Sequence, residues 1–270
     1  MIDHEQIELA GPSASVFSSA WRLQSADSGV RHEVVSPDGC CELIVHLGQS
    51  PWEMLDGQWT QQPRAFLYGP LTRVLELKMD GPMDVRALRL HPHGIGWLSS
   101  DPFALRDRAV VLDDLFGSAA PIARAASESD SLETFATSAL AALRPFHASP
   151  PGLTRVRKAS ALLQREPWAD ASRLSAAAAC SDRTLTRAFK RVCGLTPSEY
   201  VRIQRFQNAR RAIKGGTSDL SDVAAMAGYT DQAHMTRSFR KLTGLTPRAI
   251  KAELTFDPLY EERPDIESES

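Results

Sequence analysis

Residues 181–197 read SDRTLTRAFKRVCGLTP, and residues 231–247 read DQAHMTRSFRKLTGLTP. Fifty positions apart, Thr186 matches Thr236, Arg187 matches Arg237 and Phe189 matches Phe239. The stop Gly-Leu-Thr-Pro also coincides, at 194–197 and 244–247. Upstream the offset becomes 49, with Leu174-Ser175-Ala176-Ala177-Ala178 answering Val223-Ala224-Ala225-Met226-Ala227. A pattern seen twice at one spacing means two copies of one supersecondary unit. One residue has been inserted into the second copy.

Each copy predicts a helix, a tight turn and a second helix. In the first, the small residues from Arg173 to Ala178 form the leading helix, Ala179-Cys180 the turn, and Ser181 an N-cap. In the second, Val223 to Ala227 is the helix, Gly228-Tyr229 the turn, and Thr230 or Asp231 the cap. Small residues let the second helix approach the first closely. The second helices, about 182–193 and 232–243, are two-faced. Leu185, Ala188, Phe189 and Val192 fall on one stripe, as do Met235, Phe239 and Leu242. Arg183, Thr184, Thr186, Arg187 and Lys190 are the candidate DNA contacts of the first helix. Gln232, Ala233, His234, Thr236, Arg237 and Arg240 are those of the second. Donors at the front of such a helix suit base edges, and a basic rear suits phosphate. An amphipathic helix seen once is ordinary core packing. Two with matched caps and stops predict a reader of double-stranded DNA.

Gly-Leu-Thr-Pro predicts a left-handed stop, a threonine cap and a proline in the first turn of the next helix. That helix carries Tyr200, Ile203, Phe206, Ala209 and Ile213 on one stripe. At about 17 residues and about 25 Å it can hold two units toward successive major grooves about 34 Å apart.

Residues 153–252 resemble the DNA-binding domain of the AraC/XylS family of bacterial regulators. The resemblance rests on Ser181, Leu185, Arg187, Phe189 and Lys190, and on Arg205 and Ala209 of the connecting helix. It continues through Ala224, Gly228, Tyr229, Asp231, Met235, Arg237, Phe239, Arg240, Lys241, Gly244, Thr246 and Pro247. It implies about seven helices with two reading helices, and a sequence-specific transcription regulator. Two departures stand out. Ala179 occupies a turn that glycine makes more easily, and Ser175 replaces a small apolar residue. Each is expected to weaken the first unit by about 1 kcal/mol.

Charge divides the chain in the same place. Residues 150–255 hold 19 Lys and Arg against 8 Asp and Glu, whereas the rest holds 12 against 25, for a net of −2 overall. The basic segment suits a polyanion and the acidic remainder does not. The expected boundary is His147-Ala148-Ser149-Pro150-Pro151-Gly152, where prolines and glycine stop regular structure. The division is therefore 1–148, 149–255 and an acidic tail at 256–270, whose end EERPDIESES is expected to be disordered.

The first half predicts strands. The fold class is α+β, with an antiparallel barrel or sandwich over about residues 10–95 and trailing helices, and then the all-α segment. Turns are expected at Ser36-Pro37-Asp38-Gly39, Asp56-Gly57 and Asp80-Gly81-Pro82. Strands are expected at Cys41–Leu47, Val74–Met79 and Val85–Leu90. Helices are expected within 102–116 and at Leu132–Leu143. The order of PDGCCELIVHLG, FLYGPLT, RALRLHPHGIGWLSS and AVVLDDLFG resembles a cupin-like sensor domain found on some regulators of this family.

His91 and His93 flank Pro92 and His46 lies on an earlier strand, but no Glu or third His at ligand spacing completes a metal set, and four of the five tryptophans, Trp21, Trp52, Trp59 and Trp97, suit core packing better than a pocket. Cys40, Cys41, Cys180 and Cys193 read as free thiols. No nucleophile–base motif and no phosphate-cradling loop appears. The reading is thus a non-enzyme with no cofactor and no metal. Its partners are DNA, a small-molecule effector, a second copy as homodimer and, for an activator, RNA polymerase. The absence of an apolar run or a signal-like N-terminus points to the cytoplasm rather than a membrane. The competing readings are a DNA-tethered enzyme and a sequence-independent architectural binder.

Overall fold

The computed structural model describes residues 2–143, 149–217 and 219–253. His147 and Ala148 of the expected boundary, and the tail at 256–270, lie outside these residues.

Among the described residues ten strands form two antiparallel sheets. They are β1 (Ile2–Glu8), β2 (Phe17–Ser25), β3 (Arg31–Val35), β4 (Glu42–His46) and β5 (Trp52–Leu55), then β6 (Gln58–Gln61), β7 (Ala65–Tyr68), β8 (Leu75–Met79), β9 (Met83–Leu90) and β10 (Ala109–Val111). One sheet runs β1-β2-β9-β4-β7-β10 and the other β3-β8-β5-β6. The expected turns fall where the sequence puts them. Asp56 and Gly57 both have positive φ between β5 and β6, as a two-residue hairpin requires. The sheet is longer than expected at both ends. β1 was not foreseen because IDHEQIE lies half-exposed on a sheet edge, without a clean apolar alternation. Ala109–Val111 pairs with β7 instead of joining a helix, because three apolar residues complete the sheet edge.

Helices α1 (Leu112–Phe116), α2 (Ala120–Glu128) and α3 (Leu132–Ala142) follow. Ile122, Phe135, Ala136 and Ala139 pack into one core with Phe17, Leu43, Leu67 and Leu88 of the larger sheet. The remaining helices are α4 (Leu153–Arg165), α5 (Ala171–Ala177), α6 (Asp182–Cys193), α7 (Pro197–Lys214), α8 (Leu220–Met226), α9 (Gln232–Thr243) and α10 (Pro247–Glu253). They are the seven expected, and they share a separate core centred on Phe189, Phe206 and Phe239.

The caps follow the sequence closely. Ser181 accepts from the Thr184 amide at the start of α6, and Asp231 from the His234 amide at the start of α9. Gly194 and Gly244 end these helices at φ 68° and 74°. Thr196 and Glu199 form a reciprocal capping box on α7. The stripe Tyr200, Ile203, Phe206, Ala209 and Ile213 is buried. α7 has 18 residues, so it spans about 27 Å.

Both departures in the first unit are visible. Ala179 stands at φ 50°, a left-handed position that Gly228 fills in the second unit. The Ser175 hydroxyl is buried without a hydrogen-bond partner among the described residues, whereas its counterpart Ala224 carries no polar group.

Candidate functional site

α6 and α9 each bury one face and present the other. Leu185, Ala188, Phe189 and Val192 are buried on α6, and Met235, Phe239 and Leu242 on α9. Phe239 meets Phe206 edge-on at 4.8 Å between ring centroids, and Phe189 leans on Tyr200 at 5.2 Å. These aromatic contacts anchor α6 to the first turn of α7 and α9 to its middle. The outward face is then set by the helical period. Arg183 and Arg187 are exposed on α6, and Gln232, Ala233, Arg237 and Arg240 on α9.

Thr184, Thr186, His234 and Thr236 are half-buried. Thr184 hydroxyl-bonds to the Ser181 cap at 3.0 Å, Thr236 donates to the Gln232 carbonyl at 2.9 Å, and His234 sits edge-on to Tyr229 at 5.4 Å. Arg205 of α7 holds the loop between α4 and α5. Its guanidinium donates to the carbonyls of Pro167, Trp168 and Ala169 at 2.9–3.1 Å. Burial lowers the pKa of that guanidinium.

Lys190 differs from its counterpart Arg240. Arg240 is exposed, but Lys190 is half-buried, with Nζ 3.9 Å from the centre of the Phe103 ring. Arg106 takes a second position on that ring at 3.6 Å, and its Nη1 pairs with Glu199 of α7 at 2.8 Å. Nothing in the sequence marks the 3-10 turn at Pro102–Leu105 as a segment that docks on α6. Three hydrogen bonds also join the β-rich part to the helices. Gln204 and Gln207 of α7 donate to the carbonyls of Asp38 and Pro37 at 3.4 and 2.6 Å, and the Val74 amide donates to the Leu242 carbonyl at 3.1 Å. The turn read from Ser36-Pro37-Asp38-Gly39 is therefore also a docking surface for α7.

Between the two sheets lies a cavity of about 120 Å³. Its wall is chiefly apolar, with Leu23, Ile44, Leu75, Leu77, Met79 and Val85. Trp21 reaches it, while Trp52 and Trp59 flank the Lys78 ammonium at 5.2 and 5.5 Å. Polar groups stand at both ends of β4. Arg89 pairs with both Asp38 and Glu42, and His46 contacts the Gln62 amide at 3.3 Å. Burial lowers the His46 pKa to about 4, so the ring is neutral at pH 7. Burial also pushes the Tyr68 hydroxyl well above its ordinary range. His91 and His93 stack on each other at 5.3 Å, and His91 contacts the Ala14 carbonyl. Among the described residues no group of three His, Cys, Asp or Glu side chains is placed to hold a metal ion. Among them too, no helix is long and apolar enough to cross a membrane.

Two capped basic helices packed on one connecting helix, preceded by a β-sheet unit with an internal cavity, define a double helix-turn-helix protein. Residues 174–253 match a helix-turn-helix domain family, and residues 14–110 match a domain family of unknown function. It is 33% identical over 69 residues to the HTH-type transcriptional activator RhaS of Escherichia coli O1:K1, covering 26% of this chain. The chain spans about 25% of the length of that relative. Across nearly its whole length the fold is that of ToxT from Vibrio cholerae. That structure is 11% identical with a TM-score of 0.52, over 94% of this chain and 99% of ToxT. A second ToxT structure, bound to a methylnaphthalenyl-butenoic acid, is also 11% identical, with a TM-score of 0.51 over 93% of this chain and 99% of that one.

Proposed function

We propose that this protein is a sequence-specific transcription regulator and not an enzyme. Residues 149–255 bind double-stranded DNA, and residues 1–148 sense an effector. One observation carries this reading: α6 and α9 expose Arg187 and Arg237 at equivalent positions while their opposite faces are locked on the same connecting helix. Arginine reaches guanine edges with two donors at once, Arg183, Arg240 and Lys241 supply phosphate contacts, and Lys190 adds one only when it leaves the Phe103 ring. A connecting helix of about 27 Å sets the units near the 34 Å repeat of successive major grooves. The activator RhaS, matched over 69 residues, supports the regulatory role.

The effector reading rests on the cavity between the sheets. The turn at Pro37 and Asp38 both borders that cavity and carries the carbonyls that hold Gln204 and Gln207 of α7. Occupancy of the cavity thus has a short path to the reading helices. ToxT, which shares the fold, has been crystallised with a small organic acid.

The test is to recover genomic fragments bound by the full chain, then compare a recovered site with scrambled DNA at one salt concentration. A specific regulator prefers its site by about 1,000-fold or more. Equal affinity for both would mean an architectural binder.

A further inference from the structure

A groove runs along the first turns of α7, between the two helix-turn-helix units. At its α9 end a cavity of about 390 Å³ is walled by Arg202 and Arg205 of α7 and by Arg237 and Lys241 of α9. Ala171 and Ser198 line this cavity and also a second one, of about 400 Å³, that reaches Thr186 of α6. Thr186 and Arg237 belong to the outward faces of the two reading helices, so the groove joins one reading face to the other.

Charge along the groove is uneven. The α9 end gathers four cationic side chains against one carboxylate, Asp170, which caps α5 by accepting from the Arg173 amide at 2.9 Å. Tyr229 adds no negative charge at pH 7, because burial pushes its hydroxyl up to about 12. The α6 end holds Asp182 and no cation. An anion is therefore drawn to the α9 end.

The four cations differ in what already holds them. Arg205 is engaged with the carbonyls of Pro167, Trp168 and Ala169. Arg202, Arg237 and Lys241 enter none of the ion pairs among the described residues. Arg202 is half-buried, and its Nε is shielded from solvent with no hydrogen-bond partner among those residues. Like charges gathered without a counter-ion repel, and a buried donor left unmet costs free energy. A phosphate oxygen in the cavity would relieve both.

We propose that this cavity is a socket for one phosphate of the DNA strand that passes between the two reading helices, gripped jointly by Arg202 and Lys241. The connecting helix then holds DNA itself and does more than space the units. A phosphate held there fixes register and orientation on the duplex and carries no base information. The proposal rests on reading residues 149–255 as the DNA-binding part.

Fluorescence anisotropy of the full chain on its recovered genomic site, with a neutral methylphosphonate linkage placed at one position at a time, tests it. In the parent, one linkage between the two read elements should weaken binding by at least about tenfold, the effect of a charge-assisted contact. Arg202→Gln should weaken the unmodified site and scrambled DNA alike by about tenfold. It should make the slope of log affinity against log salt shallower by about 0.9, and shrink the penalty at that linkage. Lys241→Gln, at an exposed position, should shrink the penalty at the same linkage, which keeps the test open should Arg202→Gln fail to fold. Lys158→Gln, exposed on α4 and outside the groove, should leave that penalty intact. An unchanged slope in Arg202→Gln, or penalties that shrink at different linkages in the two variants, would overturn the socket and leave the DNA-binding reading standing. Inorganic phosphate that competes with DNA more than chloride does at equal ionic strength, in the parent and not in Arg202→Gln, with no sensitive linkage, would assign the cavity to a free anion and overturn the socket too. A parent that binds neither recovered nor scrambled DNA would sink the DNA-binding reading and the socket with it.

Discussion

Removing the Phe103 ring should strengthen DNA binding, although Phe103 itself touches no DNA in this account. Lys190 occupies the same place on α6 that Arg240 occupies on α9, yet only Lys190 is drawn onto an aromatic ring, at 3.9 Å. A cation on a ring is worth about 0.5–1 kcal/mol when exposed and about 2 kcal/mol when desolvated. Lys190 is half-buried, so about 1 kcal/mol opposes its turning toward phosphate. Phe103→Ala releases that amount, which corresponds to roughly a fivefold gain in affinity. It should also add about one phosphate contact, steepening the slope of log affinity against log salt by about 0.9. The Arg106–Glu199 pair remains to keep the 3-10 turn near α7. Fluorescence anisotropy of labelled DNA across a salt series reads both quantities. Lys190→Ala should erase the gain in the Phe103→Ala background and cost little in the parent protein. An unchanged slope in Phe103→Ala, or an equal cost of Lys190→Ala in both backgrounds, would refute the reasoning.

Other perturbations follow from the same contacts. Phe239→Ala removes a fully buried ring together with its edge contact to Phe206, and should cost about 3–5 kcal/mol in urea unfolding; a loss under about 1 kcal/mol would mean that α9 faces the other way. Ala179→Gly relieves the positive φ and Ser175→Ala removes an unpaired buried hydroxyl, so each should stabilise by about 1 kcal/mol in thermal melts. Gly228→Ala should do the reverse, and more severely, because its new Cβ would lie 2.2 Å from the Pro167 carbonyl oxygen. His46 is held neutral, with its pKa lowered from 6.5 to about 4. Its contribution is complete above about pH 6.5 and declines as pH falls toward 4, because the unfolded chain takes up the proton first. The slope is about 1.4 kcal/mol per pH unit. Urea midpoints at pH 7 and pH 5 should therefore differ more in the parent than in His46→Gln.

Those features were legible to different degrees. The helical segment could be read almost residue by residue, because helix faces, caps and stops are local and the repeat supplied each signal twice. Ser181, Asp231, Gly194 and Gly244 do what their residue types favour, and Ala179 showed itself by standing where glycine would be easier. β8 and β9 were visible through alternation, whereas β1 was not, since an edge strand that buries little needs no alternation. Contacts between distant segments were invisible for a different reason. Phe103 on Lys190, Arg106 on Glu199 and the Asp38 turn on Gln204 join residues about 90 to 170 positions apart, and a single sequence carries no record of such pairings. Trp21 is an intermediate case. Core packing was the expected role for all four tryptophans, and Trp21 instead reaches the cavity between the sheets.

Arg187 and Arg237 test the central claim most directly. DNA selected from a random pool by the full chain, by Arg187→Ala and by Arg237→Ala can be sequenced and aligned. The account predicts that the parent selects two short elements about one helical turn apart, and that each variant loses base preference at a different one of them, at a cost of about 1–3 kcal/mol. If both variants select the parent's site with unchanged affinity, or both lose preference at the same element, the two helices do not read DNA as equivalent units.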